Sequence, residues 1–381
     1  MTFLYSSVGE TLTQYHVDVT AGTLQRAASI TLAAPVQYCW PHPDRRVLYV
    51  VSGQRGLQGP GVVHRLDALR IGADGGLTRH GAGCELPMRP LHVTVDHHAR
   101  HLLTAYNEPA GITVHRIADD GGIGAPVLQS PALDLGIFPH QVRMVPGREL
   151  AILVTRGNDA RGERPEDPGA LKVFRFADGI LAPLASIAPD GGYGFGPRHV
   201  DFDRAGMRLY VSLERQNRLQ MFELNAGVPG PAPVFDVTTL AAPDRVQPRQ
   251  LAGTVHVHPA GHTVYVANRA DHTQDRGAGA VFAGGENSIA VYRIDALTGE
   301  PALVQHADPQ TFHVRTFAVD PTGRLLVAAS IMPMRVQDRS GIRTVSAGLS
   351  VFRVGEDGRL GFLRQYDVET AGKTHFWMGM V

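Results

Sequence analysis

The stretch that decides the fold is Gly194–Asn217, with the sequence GFGPRHVDFDRAGMRLYVSLERQN. Its apolar residues alternate with polar ones on both sides of Asp203–Gly206, which has the composition of a tight turn, so a β-hairpin is predicted. Arg198 and Glu214 lie eight residues before and eight after Gly206, and an antiparallel hairpin therefore brings them to the same open end. An isolated pair of this kind is usually a surface ion pair of little energetic value. The rest of the chain decides whether it is more than that.

The same strand–turn–strand pattern recurs along the chain. The other copies are Pro35–Ser52, Arg89–Asn107, Pro139–Thr155, Ala252–Arg269 and Phe312–Ser330. Each copy is followed by a third alternating strand, a Gly-rich turn and a weaker fourth strand, so each unit is predicted to be a four-stranded antiparallel meander. One such sheet cannot bury both of its faces, whereas several sheets arranged radially can.

The two ends of the chain supply a seventh unit. Thr374–Val381 resembles an inner strand without its partner, and Phe3–Val8 resembles a second strand without its predecessor. Thr13–Val19 and Leu24–Leu32 provide the other two strands. We therefore predict an all-β fold, a seven-bladed β-propeller of four-stranded antiparallel blades in a single domain, residues 1–381, with the last blade closed by both termini.

Composition argues against several classes of protein. Lys and Arg (36) balance Asp and Glu (36), so neither a nucleic-acid nor a membrane partner is expected. Cys39 and Cys84 are too few for a disulfide framework and are expected to be reduced and buried. The histidines of His97–His101 lack the spacing of a metal site, so no metal and no cofactor are expected. No signal-like apolar run follows Met1, which predicts a soluble cytoplasmic protein.

The repeats also define a register of positions around the ring. All long connections are predicted on one face, and functional residues concentrate in loops held by a rigid scaffold. The position of Glu214 is occupied by Asn107 in the second blade and by Arg269 in the fifth, and that of Arg198 by Arg315 in the sixth. Polar residues are thus expected around the mouth of the channel on the long-loop face.

Four histidines lie in or near inner strands: His140, His92, His199 and His256. For each of them, a hydrogen-bonded packing role is the alternative to a functional one. His140 is the strongest functional candidate because it lies at the mouth, outside the regular strand pattern. Strand alternation is expected to turn His199 away from the face that Arg198 uses.

At this point the sequence resembles the seven-bladed lactonase family, which includes propeller-type bacterial 6-phosphogluconolactonases and fungal 3-carboxy-cis,cis-muconate lactonizing enzymes. The resemblance covers essentially the full chain, and its carriers are Gly196–Glu214, Val264–Arg269, Asn287–Glu300 and Val314–Ser330. In the muconate-cyclising members the active site contains a histidine, two arginines and a glutamate. Matched residue by residue, the resemblance implies the catalytic set His140, Arg198, Glu214 and Arg269.

This set suits the hydrolysis of a sugar-acid or carboxylic-acid lactone. Glu214 is the expected base or proton shuttle, the arginines Arg198 and Arg269 would stabilise the oxyanion, and His140 would protonate the leaving alkoxide. Contacts with substrate are expected from Arg315, Asn107, His92, His199 and His256.

Two alternatives stay open. The same residues would suit a lactonizing cycloisomerase or a lactone isomerase acting on a muconate-like dicarboxylic acid. A propeller that serves as a non-catalytic binding scaffold is the other alternative, because fold alone does not establish function. The expected partner is a small-molecule lactone or dicarboxylic acid, and the oligomeric state is not predicted.

Overall fold

Thirty-four β-strands account for most of the chain that the computed structural model describes, which is residues 2–56, 59, 61–275, 277 and 279–381. The first half contains β1 (Thr2–Val8), β2 (Thr11–Asp18), β3 (Thr23–Thr31), β4 (Val36–Pro41), β5 (Val47–Gly53), β6 (His64–Ile71), β7 (Leu77–Arg79), β8 (Cys84–Glu85), β9 (Pro90–Val95), β10 (His101–Tyr106), β11 (Gly111–Ile117), β12 (Ile123–Val127), β13 (Pro139–Met144), β14 (Leu150–Thr155), β15 (Ala170–Ala177) and β16 (Ile180–Ile187).

The second half contains β17 (Pro197–Phe202), β18 (Arg208–Leu213), β19 (Arg218–Asn225), β20 (Val228–Pro229), β21 (Phe235–Thr238), β22 (Gln250–Val257), β23 (Thr263–Ala270), β24 (Thr273–Asp275), β25 (Ala280–Phe282), β26 (Ser288–Ile294), β27 (Pro301–Ala307), β28 (Val314–Val319), β29 (Leu325–Ser330), β30 (Met334–Asp338), β31 (Gly341–Val345), β32 (Gly348–Val354), β33 (Leu360–Asp367) and β34 (His375–Met380). Two short 3₁₀ helices, Pro189–Gly192 and Pro243–Arg245, complete the described elements, and neither has the length or the apolar character that crossing a membrane requires.

Thirty of the described strands form seven antiparallel sheets, each with four strands across, which confirms the predicted seven-bladed propeller, and the other four strands form two separate hairpins. We number the blades by the chain order of their inner strands. Blade 1 contains β4–β8, blade 2 β9–β12, blade 3 β13–β16, blade 4 β17–β21, blade 5 β22, β23, β26 and β27, blade 6 β28, β29, β32 and β33, and blade 7 β34 and β1–β3. In blades 1 and 4, two short strands share the outer edge.

Blade 7 is closed by both ends of the chain, as predicted. The inner strand β34 pairs antiparallel with β1, with Leu4 opposite Met380 and Ser6 opposite Met378. This pairing gives blade 7 the same four-strand width as the other blades and satisfies the inner side of β1, whose backbone groups would otherwise be costly to bury.

Buried tyrosines tie neighbouring blades together. Tyr5, Tyr49, Tyr210 and Tyr265 lie on second strands, and each hydroxyl donates to a glycine carbonyl in the next blade, at 2.7, 2.9, 2.8 and 2.9 Å respectively. Each accepting glycine lies in the turn between the third and fourth strands and has a positive φ, which a side chain would strain. A buried hydrogen bond of this kind contributes about 1 kcal/mol, so the repeat stabilises the ring at several seams.

Two hairpins rise from the long connections on the upper face, the face that carries the connections between second and third strands. They are β24–β25 in blade 5 and β30–β31 in blade 6. The hairpins pack against each other through β25 and β30. The connections of blades 5 and 6 are therefore joined on this face.

The two cysteines differ in environment. Cys39 is buried and Cys84 is only partly buried, and both are free thiols. The expectation of full burial is therefore confirmed for Cys39 and wrong for Cys84, which lies on the short outer strand β8 at the rim of blade 1.

Candidate active site

A β-bulge interrupts every inner strand near the upper face. In blade 4, Pro197 pairs with Leu213 and His199 pairs with Ser212, so that Arg198 has no partner of its own. The corresponding residues of the seven blades are Gln37, Leu91, His140, Arg198, Gly253, Arg315 and Phe376. We call this ring of seven residues the upper mouth. Since a bulge redirects the side chain of the extra residue, the backbone itself gathers these side chains around the channel.

The bulge changes the expected orientation of His199. Arg198 and His199 line one cavity together with His140 and Arg315, and the ring centroids of His140 and His199 are 5.1 Å apart. The expectation that alternation turns His199 away from Arg198 is therefore wrong. Alternation assumes a regular strand, and the extra residue resets the pleat between the two side chains.

Glu214 lies at the centre of three arginines. Its Oε1 is 2.9 Å from Nε of Arg198, an ion pair in which the N–H is not aimed at the oxygen. Arg156 Nη1 donates to Oε2 at 2.5 Å, and Arg269 Nη2 donates to Oε1. We call Arg156, Arg198 and Arg269 around Glu214 the arginine cluster. The predicted meeting of Arg198, Glu214 and Arg269 is thus observed, and Arg156 is an addition to it.

Burial and charge together fix the protonation states of the cluster. Burial raises the pKa of Glu214, but the charges of Arg269, Arg198 and Arg156 outweigh it and hold that pKa well below its usual range. Burial, helped by Arg269, lowers the pKa of Arg198 to about 9. At neutral pH the carboxylate is therefore ionised and the guanidinium is protonated. Nε and Nη1 of Arg198 have no hydrogen-bond partner in the described part of the chain, so this side chain retains donors for a ligand.

Two histidines of the cavity are neutral for the same reason. Burial lowers the pKa of His140 well below its usual value, and Arg198 lowers it further. Burial and Arg198 act on His199 in the same direction. Nδ1 of His140 has no hydrogen-bond partner among the described residues. His140 therefore presents an uncharged imidazole beside a group of cations.

Arg156 was missed by the sequence analysis. It occupies in blade 3 the register position that Glu214 occupies in blade 4, and the backbone N–H groups of the two residues make the same contact, to Phe138 and Gly196 respectively. Its guanidinium lies 4.1 Å from the ring centroid of Phe138, a residue with φ of 57°. The register that identified Asn107 and Arg269 would have found Arg156 had it been extended to blade 3.

Two further contacts hold the cations of the site in place. The guanidinium of Arg315 stacks on Phe376, 3.7 Å from the ring centroid, and a guanidinium can bind an aromatic face in this way. Arg269 Nη1 is 3.3 Å from Nε2 of His313, and His313 lies beside Asp271, which Arg249 binds with two hydrogen bonds of 2.5 and 2.6 Å. Orientation of Arg269 therefore comes from a chain of polar contacts behind it.

Asn107 lines a different space on the same face. A cleft of ≈ 1000 Å³ runs along blades 1 to 3 and is lined by Asn107, Arg89, Phe138 and Arg156, among others. The cavity at the upper mouth is only ≈ 20 Å³, which suffices for about one water molecule. Arg156 belongs to both the arginine cluster and the cleft, and it is the link between them.

His92 and His256 are not brought to the arginine cluster. His92 is fully buried, with its ring centroid 4.1 Å from that of Tyr38. His256 lies at the opposite end of the channel, with Nδ1 3.6 Å from Oδ2 of Asp201. A direct role in substrate binding stays a prediction for both.

The histidines of the lower turn in blade 2 serve separate partners. His97 Nε2 contacts the carbonyl of Val145 at 2.5 Å, and His98 Nε2 contacts Glu149 at 2.7 Å. His101 pairs with Asp96, at 3.0 Å. In the described part of the chain, no group of three or more His, Cys, Asp or Glu side chains has the arrangement of a metal site.

Comparison with known proteins adds independent information. The family model described as "Lactonase, 7-bladed beta-propeller" matches residues 3–332. A 6-phosphogluconolactonase of Bacillus subtilis is 29% identical over 246 residues, which is 63% of this chain and 63% of that relative. A 6-phosphogluconolactonase of Serratia proteamaculans is 25% identical over 365 residues, 95% of this chain and 93% of the relative.

A solved structure shares the fold. The periplasmic gluconolactonase of Pseudomonas aeruginosa superposes with a TM-score of 0.72 over 100% of this chain and 99% of its own, at 20% identity. The expected family is confirmed by the match of its model to most of the sequence. From its repeats, its closure and this match, the chain belongs to the seven-bladed β-propeller lactonase family.

Proposed function

We propose that this protein is a lactone hydrolase whose active site is the upper mouth and the arginine cluster together with the adjoining cleft that Arg156 lines, which has the room for a substrate. The observation that carries the proposal is the neutral His140 beside Arg198, whose donors lack partners in the described chain. Ester hydrolysis needs a proton acceptor for water next to a cation for the oxyanion, and these two groups provide both. Membership of the lactonase family and the names of the relatives support the same reaction.

The substrate is a lactone that carries an acidic group. Four guanidinium groups, those of Arg156, Arg198, Arg269 and Arg315, surround the single carboxylate of Glu214. Buried positive charge in excess favours a ligand that brings negative charge. A carboxylate or phosphate accepts the paired donors of a guanidinium well. We therefore infer an acid lactone, with its anionic group among the arginines.

The residues divide the chemical work as follows. A water molecule attacks the lactone carbonyl carbon and gives its proton to His140, while Arg198 stabilises the negative charge that forms on the carbonyl oxygen. The ring C–O bond then breaks, and the imidazolium returns the proton to the leaving oxygen, giving the open hydroxy acid. The lowered pKa of His140 makes that imidazolium a strong acid. His140 thus serves first as base and then as acid, a wider role than the acid expected from the sequence.

Glu214 has a different role from the base expected of it. Both oxygens of its carboxylate are already engaged by arginines, so neither is free to take a proton from water. Its three arginine contacts instead support a positioning role, in which Glu214 holds the guanidinium groups at fixed distances. Preorganised charge of this kind is a large contributor to catalysis.

The experiment is a hydrolysis assay on a panel of lactones. Glucono-δ-lactone, its 6-phosphate and a dicarboxylic-acid lactone are each followed by release of the product proton, with the uncatalysed rate subtracted. We expect kcat/KM to be higher for the anionic lactones than for the neutral one. His140→Gln should lower kcat by at least about 100-fold, while the matched control His98→Gln, a surface histidine, should keep wild-type activity.

Three results would count against the proposal. Full turnover by His140→Gln would remove the histidine from the mechanism. Conversion of a muconate-like dicarboxylic acid to a lactone, without net hydrolysis, would favour the cycloisomerase. Tight binding of every lactone without turnover would favour a scaffold.

We also propose that residues 1–381 act as one domain in the cytoplasm. Tyrosine hydrogen bonds across the seams and the shared blade 7 support a single unit. One calorimetric unfolding transition is expected for such a unit, and fractionation of cells would test the location.

A further inference from the structure

The channel has a second cavity below the upper mouth. It measures ≈ 270 Å³ and we call it the lower cavity. Tyr38, Thr316 and Trp377 line both cavities, so these side chains lie between the two. His92, whose ring centroid is 4.1 Å from that of Tyr38, packs against this partition. The lower cavity is therefore a separate space and not the floor of the proposed active site.

Aromatic side chains make the walls of the lower cavity, and small residues leave the room. Its aromatic lining comprises Tyr38, Trp40, Phe317 and Trp377. Ala318 and Gly379 line it from the inner strands of blades 6 and 7. A Cβ on Gly379 would lie 2.6 Å from the Trp377 ring, so the indole can lie flat against this strand only because the residue is glycine.

A charged pair lies behind Trp40 and His256 of the lower cavity, and its two charges compensate one another. Arg143 donates to Oδ1 of Asp201 at 3.0 Å and to the carbonyl of Val200 at 3.1 Å. Oδ2 of Asp201 accepts from the backbone N–H of Val257 at 2.9 Å. Arg143 also lies 5.2 Å from the Trp40 ring centroid. The cation and the anion are thus both engaged, and neither is available to neutralise a charged ligand.

His256 is the polar side chain that this cavity leaves accessible. Its side chain is 31% exposed, and its ring packs edge-on against Phe317, with centroids 5.1 Å apart. Nδ1 faces Asp201 at 3.6 Å, which leaves the other ring nitrogen for a ligand. A neutral site with aromatic walls and one hydrogen-bonding imidazole fits a neutral aromatic ring that carries a hydroxyl or N–H group.

We propose that the lower cavity is a second ligand-binding site, specific for a small, uncharged aromatic molecule of about the size of phenol. The ring lies against Trp40 and Trp377, and its polar group bonds to His256. Because Arg143 and Asp201 neutralise each other, neither is free to pair with a charged ligand, and burying a charge here is costly; this sets the site apart from the arginine-rich upper mouth. The proposal does not depend on the proposed hydrolysis.

The chain provides its own reporters for a test. It contains two tryptophans, Trp40 and Trp377, and both line the lower cavity. Phenol is titrated into the wild-type protein with excitation at the red edge of the tryptophan band, where phenol does not absorb. A saturable change in emission is expected, and both indole N–H signals should shift in an NMR titration. Benzoate, of similar size but charged, should bind at least about tenfold more weakly, since burying an uncompensated charge costs more than 1.4 kcal/mol.

A matched pair of variants locates the site. Ala318→Leu places a larger side chain in the space of the ligand and should weaken phenol binding at least about tenfold. Ala318→Ser keeps the space and should bind within about twofold of wild type. Residue 318 lines the lower cavity and is not in the upper mouth, so lactone turnover should be unchanged in both. Melting curves check that both variants fold.

Two results would overturn the proposal. The first is the absence of a saturable response in the wild type by both fluorescence and NMR. The second is an equal response of wild type and a folded Ala318→Leu variant, which would place phenol elsewhere on the surface. If the wild-type protein binds phenol but hydrolyses no lactone, that result would count against the proposed hydrolysis alone.

Discussion

The upper mouth and the lower cavity belong to the same seven inner strands and have opposite chemistry. The upper mouth and the arginine cluster bring arginines and the neutral His140 around the carboxylate of Glu214, whereas the lower cavity has aromatic walls with a compensated Arg143–Asp201 pair behind them. The backbones differ in one respect, because each strand carries a bulge at the upper mouth and is regular below it. The bulge therefore permits crowding of charged side chains, since two consecutive residues can face the channel there.

Removal of Thr374–Val381 should have the largest effect, because β34 contributes to both regions. The deletion takes away Phe376 from the upper mouth and Trp377 from the partition, and it leaves β1 without its inner partner. We expect loss of the cooperative unfolding transition, measured by calorimetry and circular dichroism. A truncated protein with an unchanged melting temperature would contradict the closure of the ring.

Glu214→Gln should disturb the arginine cluster and the adjoining upper mouth, and it should leave the lower cavity unchanged. The change leaves three arginines without their shared anion, and removal of one partner from a buried ion pair costs about 3–5 kcal/mol. We expect a fall in the free energy of unfolding of this size and a loss of kcat/KM of at least about 100-fold. Urea denaturation and the lactone assay measure the two.

The matched control for this variant is Glu149→Gln. Its side chain is 60% exposed and pairs with His98 on the surface, so stability should change by less than about 1 kcal/mol. Equal effects of the two substitutions would mean that Glu214 is an ordinary surface residue. The phenol response of the lower cavity should survive in folded Glu214→Gln.

Arg156→Ala should have an intermediate effect that separates activity from stability. The side chain is 20% exposed and joins the arginine cluster to the cleft. Loss of one charge-assisted hydrogen bond, about 1.5–3 kcal/mol, predicts a decrease in kcat/KM of about 10- to 100-fold. Arg164 lies in the same connection between β14 and β15, and its side chain is 63% exposed. Arg164→Ala should therefore leave kcat/KM unchanged. Wild-type kinetics for Arg156→Ala would exclude this residue from the site.

Acid should weaken the protein through groups near the upper mouth. Burial lowers the pKa of His375 to about 4, so the folded state binds fewer protons than the unfolded state between that value and the ordinary value of about 6.5. Its contribution is complete above about pH 6.5 and is lost as the pH falls toward 4. Glu214, whose pKa is also lowered, adds a loss below about pH 4.3.

The measurement for this prediction is the free energy of unfolding in urea between neutral pH and pH 4. His375→Gln should make the decrease smaller by about 3 kcal/mol, whereas the exposed His98→Gln should leave the profile unchanged. If the free energy of unfolding of His375→Gln depends on pH in the same way as that of the wild type, His375 has the same pKa in the folded and unfolded states.

Much of the fold could be predicted from sequence because it repeats. The alternation around Asp203–Gly206 recurs in blades 1 to 6, and each copy supports the assignment of the others. Phe3–Val8 and Thr374–Val381 each lack a neighbouring strand, and the simplest arrangement pairs them with each other. The pairing of β1 with β34 confirms this arrangement. The hairpins β24–β25 and β30–β31 were not foreseen, since they occur once each and no repeat reveals them.

The candidate site was predictable where it follows the register and unpredictable where it follows local irregularity. Arg198 and Glu214 meet because hairpin geometry requires it, and Arg269 joins them because it has the register position of Glu214 in the next blade. The prediction for the orientation of His199 is wrong because a bulge has no reliable sequence signature. Protonation states were also out of reach, since the neutral form of His140 depends on burial and on Arg198, which only the fold brings close.

The closure of blade 7 has a consequence for how the protein is made. During translation β1–β3 are synthesised before the other described strands, and β34 is synthesised after them. Through most of translation, three strands of one blade therefore wait with an open edge for a partner that has not been synthesised. Such an edge is a site for association with other chains. The inner side of β1 can thus be paired, and so protected from association with other chains, only after β34 has been synthesised.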